Sequence, residues 1–260
     1  FAMARPWIKP KAPKLTSRSY PGFGVIFRAH QGKDETCLYL RSGYLWSHWS
    51  QDQGNLLLYS KGAVLLPPQP YQYGGPKDKS FPDKNFMRFG APTNDLPHDW
   101  ADSNILDTAF GPTVDYAWSS TGYPDWFINP GSRPRWNGPR KLVEGLGQKQ
   151  GAITWNRQVM FLKGKTAKSP NYFVVRDTTT GEGKLASWFN LNFLGTKEHV
   201  KVNGAKVTVD SEWPTDLNVL FLGRSDPKPE IHENPTRLSP DYNYKLVGKK
   251  AGVPISRDWV

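Results

Sequence analysis

Prolines and glycines punctuate this chain from one end to the other, 23 of the first and 24 of the second in 260 residues. Proline removes a backbone donor and clashes with the preceding helical turn. Glycine weakens the interior of a helix or strand. Long helices are therefore excluded over most of the sequence. The enrichment has neither period nor low complexity, so collagen and plain disorder do not fit. Aromatics make up 13% of the chain, with 11 Trp, which argues for a packed core. What remains is a chain of short strands joined by turns.

Apolar runs bounded by Gly, Pro, Asn and Asp mark those strands. They fall near Gly24–Arg28, Thr36–Arg41, Asn55–Ser60, Ala63–Leu66, Phe86–Phe89, Ile105–Phe110 and Val114–Ser119. Others fall near Ile153–Leu162, Tyr172–Asp177, Leu185–Phe193, Lys206–Val209 and Leu217–Leu222. Alternation is clearest where Phe189, Leu191 and Phe193 alternate with Asn190 and Asn192. That predicts a half-buried antiparallel strand whose Asn face either lines a ligand surface or meets solvent. The only helix signal, Leu142–Leu146, is short and flanked by glycines. The pattern predicts an all-β fold with little helix, a large two-sheet antiparallel β-sandwich of the supersandwich kind.

All-β sandwiches run to about 200–250 residues as one unit. We expect an extended lead-in over 1–20, a sandwich over 21–225 and a C-terminal extension over 226–260. That extension either packs on the sandwich or serves as a linker. Two stretches read as long loops, Pro67–Asp83 and Gly122–Gly151. Long loops in compact domains are often functional.

The formal net charge is +11. A basic surface suits nucleic acid, a membrane or an acidic polysaccharide, or simply keeps a domain soluble. Lys and Arg are scattered, without the runs of a nucleic-acid arm. No apolar stretch approaches the roughly 20 residues of a membrane helix. The single cysteine, Cys37, has no intrachain partner and reads as a small hydrophobe. There is no phosphate-binding loop, dinucleotide fingerprint or nucleophile elbow. The histidines, His30, His48, His98, His199 and His232, are dispersed, so no local spacing points to a metal site.

One segment stands apart: Ser47-His48-Trp49-Ser50-Gln51-Asp52-Gln53-Gly54, followed by the apolar run Leu56-Leu57-Leu58-Tyr59 and Gly62. It resembles a signature of the heparinase II/III-like polysaccharide lyases, Gly-His-x-His-x-Asp-x-Gly, then a strand, then Gly. Asn171-Tyr172-Phe173-Val174-Val175-Arg176-Asp177 resembles a later strand of that family. Lys84-Asn85-Phe86-Met87-Arg88-Phe89 and Asp115-Tyr116-Ala117-Trp118 follow its order. The resemblance covers roughly Tyr20 to Leu222. It implies the C-terminal β-sandwich of a larger enzyme, with an α-helical toroid of the same parent protein completing a cleft. It also implies a periplasmic or extracellular bacterial setting and an acidic polysaccharide as partner, with no nucleic acid and no membrane.

The departures bear on cofactors. The family's second motif histidine, a zinc ligand in many members, falls on Ser50. Its ligand aspartate falls near Pro67 or Pro68, and its later histidine on Lys84. We therefore expect no metal and no other cofactor. Asp52 suits a turn-capping role.

The chemistry implied is β-elimination on a uronic acid. It needs a base, an acid and a cation or amide on the carboxylate. His48 matches by motif. Tyr71 and Tyr73 are catalytic candidates from their place in a loop. Lys84, Asn85 and Arg88 are candidates for the carboxylate, and Trp46 and Trp49 for stacking on sugar rings. Alone, the chain is expected to be inactive or nearly so, because the groups must be brought together. The alternative is a non-catalytic carbohydrate-binding module of the same fold.

Overall fold

The computed structural model of the protein describes residues 14–43, 53–67, 85, 87–89, 102–123, 153–181, 187–194, 197–210, 215–223, 229 and 254–259. Fifteen strands in four antiparallel sheets account for most of them. A meander forms the first sheet: β1 (Arg18–Tyr20), β2 (Gly24–Ala29), β3 (Thr36–Arg41), β4 (Leu56–Ser60) and β5 (Ala63–Leu66). The second has the order β10-β9-β8-β7. Its strands are β7 (Asp102–Phe110), β8 (Val114–Tyr123), β9 (Ile153–Leu162) and β10 (Tyr172–Gly181). A third places β11 (Ser187–Leu194) between β6 (Met87–Phe89) and β15 (Pro254–Trp259). The fourth is β12 (Val200–Asn203), β13 (Lys206–Val209) and β14 (Leu217–Leu220). Among the described residues the only helical elements are two three-residue 3-10 turns, Gly32–Asp34 and Lys197–His199. The all-β sandwich expected from the pattern is the observed fold.

Period-two alternation builds the core. In β9 the buried positions are Ile153, Trp155, Arg157, Val159 and Phe161, every second residue. In β2 they include Val25, Phe27 and Ala29, and in β3 Thr36, Leu38 and Leu40. One contiguous cluster joins Phe27, Leu40 and Leu58 of the first sheet to Val159 and Phe161 of the second. Leu191 and Phe193 of the third sheet and Val207 and Val209 of the fourth belong to it too. Each such side chain contributes about 1.5–3 kcal/mol on burial. Phe161 and Phe173 stack with ring centroids 4.3 Å apart.

Three strands were not expected from sequence. β1 is three residues long, β12 is Val-Lys-Val-Asn, and β15 opens on proline. Proline at the first residue of a strand needs no ladder donor, so it does not block pairing. β15 pairs with β11 from Leu194↔Pro254 to Phe189↔Trp259.

The Asn face of β11 is a correction. Solvent was one of its two expected surroundings, yet Asn190 and Asn192 are both 0% exposed. β11 is an inner strand with neighbours on both edges, and both of its faces are covered. Alternation reports that two faces differ; it does not report that the polar one is wet.

The two ends of the sandwich differ. At one end the connections are short. β2 and β3 join through 30–35, β4 and β5 through Lys61-Gly62, β7 and β8 through 111–113, and β9 and β10 through 163–171. Lys61 and Gly62 have φ of 50° and 86°, the left-handed pair that a two-residue I′ hairpin demands. This end is also stitched across the sheets. Asn171 Nδ2 donates to Thr36 Oγ1 at 2.9 Å, and Lys61 Nζ to the Ser169 carbonyl at 3.3 Å. From the opposite end spring the longer connections. β3 leads into residues 44–52, β5 into 68–84 and β8 into 124–152. The register places Tyr123, Ile153 and Gly181 side by side at that end.

Candidate functional site

The loop end is organised around one buried charge. Arg157 lies on the inner face of β9, in phase with Trp155 and Val159, and is 1% exposed. Taking a guanidinium out of water costs several kcal/mol unless its donors are met. Here they are. Nε and Nη2 reach the two carboxylate oxygens of Asp177, each at 2.8 Å. This is the bidentate fork that a planar guanidinium offers and an ammonium cannot. Nη1 donates to the carbonyls of Gly54 and Asn85, the latter at 3.2 Å. Its carbon also sits 4.7 Å from the centre of the Trp155 ring and 5.1 Å from that of Phe189. The indole N–H of Trp155 donates to Asp177 at 2.9 Å.

The two carbonyls that Arg157 holds belong to the roots of two long connections. Gly54 follows the segment 44–52. Gln53 closes that segment with its side-chain amide, which accepts from the Gly43 N–H at 3.2 Å and donates to the Gly43 carbonyl. One side chain thus replaces a rung of the ladder. Main-chain bonds continue it, with Gly54 N–H to the Arg41 carbonyl at 2.8 Å and Arg41 N–H to the Asn55 carbonyl at 2.9 Å. Gly54 has φ of 73°, and a Cβ there would overlap the Trp155 ring. Only glycine suits both demands.

Asn85 closes the second connection, 68–84. It is 0% exposed. Its amide nitrogen donates to the Leu56 carbonyl at 2.8 Å and to the Pro67 carbonyl at 3.4 Å. Its own N–H donates to Asn55 Oδ1 at 2.8 Å, and its carbonyl accepts from Leu56 N–H at 3.1 Å. Its Oδ1 accepts from the Asn192 N–H and, at 3.3 Å, from Asn192 Nδ2. Asn85 therefore ties the first sheet to the third.

Nearby, hydroxyls replace hydrocarbon between the first two sheets. Ser42 and Ser103 are 2.7 Å apart, Ser119 and Ser42 2.9 Å, and Thr121 and Ser103 3.1 Å. All four are buried. Tyr123, at the rim of this region, is buried too. Burial drives its phenol pKa far above the ordinary value, and the Arg157 charge only partly opposes this. It stays a neutral phenol at working pH, and so is unsuited to act as a base.

Of the sequence candidates, His48, Trp46, Trp49, Tyr71, Tyr73, Lys84 and Asp52 lie outside the described residues. Arg88 lies in β6 opposite Trp188. Asn85 is described and sits inside the fold, its polar groups engaged by neighbouring protein groups. What the structure brings together is the anchors: the two ends of 44–52 and the two ends of 68–84 meet in one hydrogen-bonded node. Sequence reasoning missed Arg157 as the centre of that node. Its signal was present, a charged residue in phase with the apolar positions of a ten-residue alternating strand.

Among the described residues no group of three His, Cys, Asp or Glu converges. Pro67, one of the two prolines near which a family ligand falls, has no ligating side chain, and its carbonyl serves Asn85.

The sheets share their fold with part of solved heparinase structures. No protein-family model matches the sequence, and no curated protein matches it. Solved structures do. A mutant of the heparan sulfate lyase from Pedobacter heparinus matches with a TM-score of 0.63 and 14% identity. A heparinase III gene product matches at 0.61 and 15%, and a further heparinase III structure at 0.59 and 15%. Each match covers 96% of this chain and 34% of the other. The chain thus spans about a third of the length of the structures it matches.

Proposed function

We propose that this chain is the β-sandwich part of a polysaccharide-lyase-like protein and supplies one wall of a cleft for an acidic, uronate-containing polysaccharide. The carrying observation is the node at the loop end. It roots together the two connections that bear His48, Trp46, Trp49, Tyr71, Tyr73 and Lys84. A site assembled from loops gains its rate from fixed geometry, and buried anchoring is how a rigid scaffold fixes loops. The fold match supports the class of enzyme, and the 34% coverage supports a larger parent with a helical toroid as the other wall.

In this reading Lys84 and Arg88 neutralise the uronate carboxylate. His48 takes the C5 proton, and the C4–O4 bond breaks as its O4 receives a proton from Tyr71 or Tyr73. The product carries a C4=C5 double bond. Trp46 and Trp49 stack on flanking rings. Asn85 works from inside the fold by setting the root of 68–84. The sandwich spans 21–225, and 226–260 packs on it, a packing that the β15–β11 pairing supports. The setting is periplasmic or extracellular.

A second reading is a non-catalytic glycan-binding module, favoured by the three lost ligand positions at Ser50, Pro67 or Pro68, and Lys84. The parent protein separates the two. With His48→Ala, loss of unsaturated-uronate absorbance together with retained polysaccharide binding supports the lyase reading. Turnover at the parental rate would sink it. The chain by itself is expected to bind without producing that absorbance.

A further inference from the structure

The first and second sheets carry opposite charge. The five strands β1–β5 contain three arginines and no Asp or Glu. The four strands β7–β10 contain Asp102, Asp107, Asp115 and Asp177 against Arg157 and Arg176. The three arginines of the first sheet all lie on its outer face, because the inner positions of β2 and β3 are Val25, Phe27, Ala29, Thr36, Leu38 and Leu40.

Register arranges that face in rungs. Tyr20 pairs through Gly24 with Arg41. Arg18 pairs through Ile26 with Tyr39. Arg28 pairs through Cys37 with Tyr59. Each of three successive rungs thus presents one Arg and one Tyr. Same-face rungs repeat every two residues, about 7 Å, so the row spans about 14 Å. It starts at the loop end, where Arg41 lies two residues from Gly43 and the root of 44–52, and runs toward the turn end. Tyr20 is 42% and Tyr59 36% exposed. Arg18 is exposed, 6.0 Å from the Tyr20 ring centre. Tyr39 Oη donates to the Phe23 carbonyl at 2.6 Å and Arg41 Nη1 to the same oxygen at 3.0 Å, so both are held in place. Glu35 engages Arg28 from the adjoining turn.

We infer that this Arg/Tyr row is a binding track for an anionic polysaccharide, distinct from the loop-end cleft and continuous with it. Guanidinium forks pair with carboxylate or sulfate. Tyrosine gives a sugar ring an apolar face with a polar rim. An outer sheet face with a ladder of both suits an extended chain of sugar rings better than a duplex, which needs an element to enter a groove. The choice of polymer class rests on the function proposed above; the track itself rests on charge and register.

The test is equilibrium binding of the 260-residue chain to heparin, polygalacturonate, neutral dextran and duplex DNA at several salt concentrations. Tyr20→Ala, Arg18→Gln and Tyr59→Ala combined should weaken binding to heparin or polygalacturonate about tenfold. The salt slope should fall by about 1 for the lost cation. Arg18→Lys should retain that slope. Heparin binding without polygalacturonate binding would assign the track to sulfate, and equal binding to carboxylate. Parental affinity in the triple variant overturns the track and leaves the cleft reading standing. DNA binding as tight as polysaccharide binding also overturns it. If the triple variant loses binding while His48→Ala leaves turnover in the parent protein intact, the track stands and the lyase reading falls. No binding of either anionic polymer by the unmodified chain overturns the track and the acidic-polysaccharide reading together.

Discussion

Each end of the sandwich buries an ion pair, and the two are built from different material. At the turn end Asp115 is fully buried and meets Lys163 Nζ at 2.8 Å. Its partners come from the lead-in and from the connections at that end. Gly111 N–H reaches it from the same hairpin at 3.1 Å, and Ser17 Oγ at 2.5 Å. Lys163 Nζ also donates to the Gly111 carbonyl at 2.9 Å, and its backbone N–H to the Thr113 carbonyl at 2.9 Å. That pair ties the lead-in to the turns of the second sheet. The Arg157 pair at the loop end gathers the carbonyls of Gly54 and Asn85, at the roots of two long connections. The same device, a satisfied buried charge, closes structure at one end and roots long connections at the other.

Substitution at the two pairs should separate them. The largest effect belongs to Arg157→Ala, which strands the Asp177 carboxylate and two carbonyls. The expected loss is about 3–5 kcal/mol, read as a lower midpoint in urea. Arg157→Lys should recover little of it, because an ammonium cannot fork. A parental midpoint in either variant would remove the node from the account. Next comes Gly54→Ala, which drives a methyl into the Trp155 ring at a left-handed φ. About 2–4 kcal/mol is expected. If anchoring matters for function, this variant also loses glycan affinity at a temperature where it is still folded. Smaller again is Asp115→Asn, about 1–3 kcal/mol, since Lys163 retains some exposure and can turn to water. Glycan binding should be untouched, and a loss there would erase the contrast between the ends.

The smallest effect appears only in alkali. Burial raises the Tyr123 phenol above its ordinary value of 10.0. Above that pH the unfolded chain releases the proton and the folded chain keeps it. The unfolded state then binds fewer protons, so this contribution is intact below pH 10 and is lost as pH rises beyond it. The slope is at most about 1.4 kcal/mol per pH unit. Tyr123→Phe should flatten that part of a stability–pH curve, and an unchanged slope would place the titration elsewhere.

Much of the sandwich was readable from residues alone. Thr36–Arg41, Ala63–Leu66, Ile153–Leu162 and Lys206–Val209 are strands at the limits that their apolar runs suggest. β8 and β10 run longer than expected, through Ser120–Tyr123 and Thr178–Gly181, because ladder partners hold residues whose own pattern is polar. β15 was invisible for a related reason: Pro-Ile-Ser-Arg-Asp-Trp carries no alternation, and its pairing with β11 is decided by a strand 60 to 70 residues earlier. Asn190 and Asn192 look like a solvent face because local sequence cannot say what covers a sheet. The site divides similarly. His48 stands out through a motif, whereas Gln53, Asn85 and Arg157 act through backbone groups elsewhere in the chain, which no spacing rule encodes.

The node also has a place in time. Arg157 faces Asp177 as a rung of the β9–β10 hairpin, but it reaches across 72 residues to Asn85 and 103 to Gly54. The β9–β10 and β7–β8 hairpins close over far shorter stretches. Non-local contacts are rewarded only after the entropy of closing their loops has been met, so the hairpins form early and the node late. Interactions absent from the folding transition state govern how fast a protein opens rather than how fast it folds. Arg157 is then a latch on the unfolding limb. Its substitution should leave refolding nearly as quick as before, while the sandwich comes apart sooner and the roots of its long connections part first.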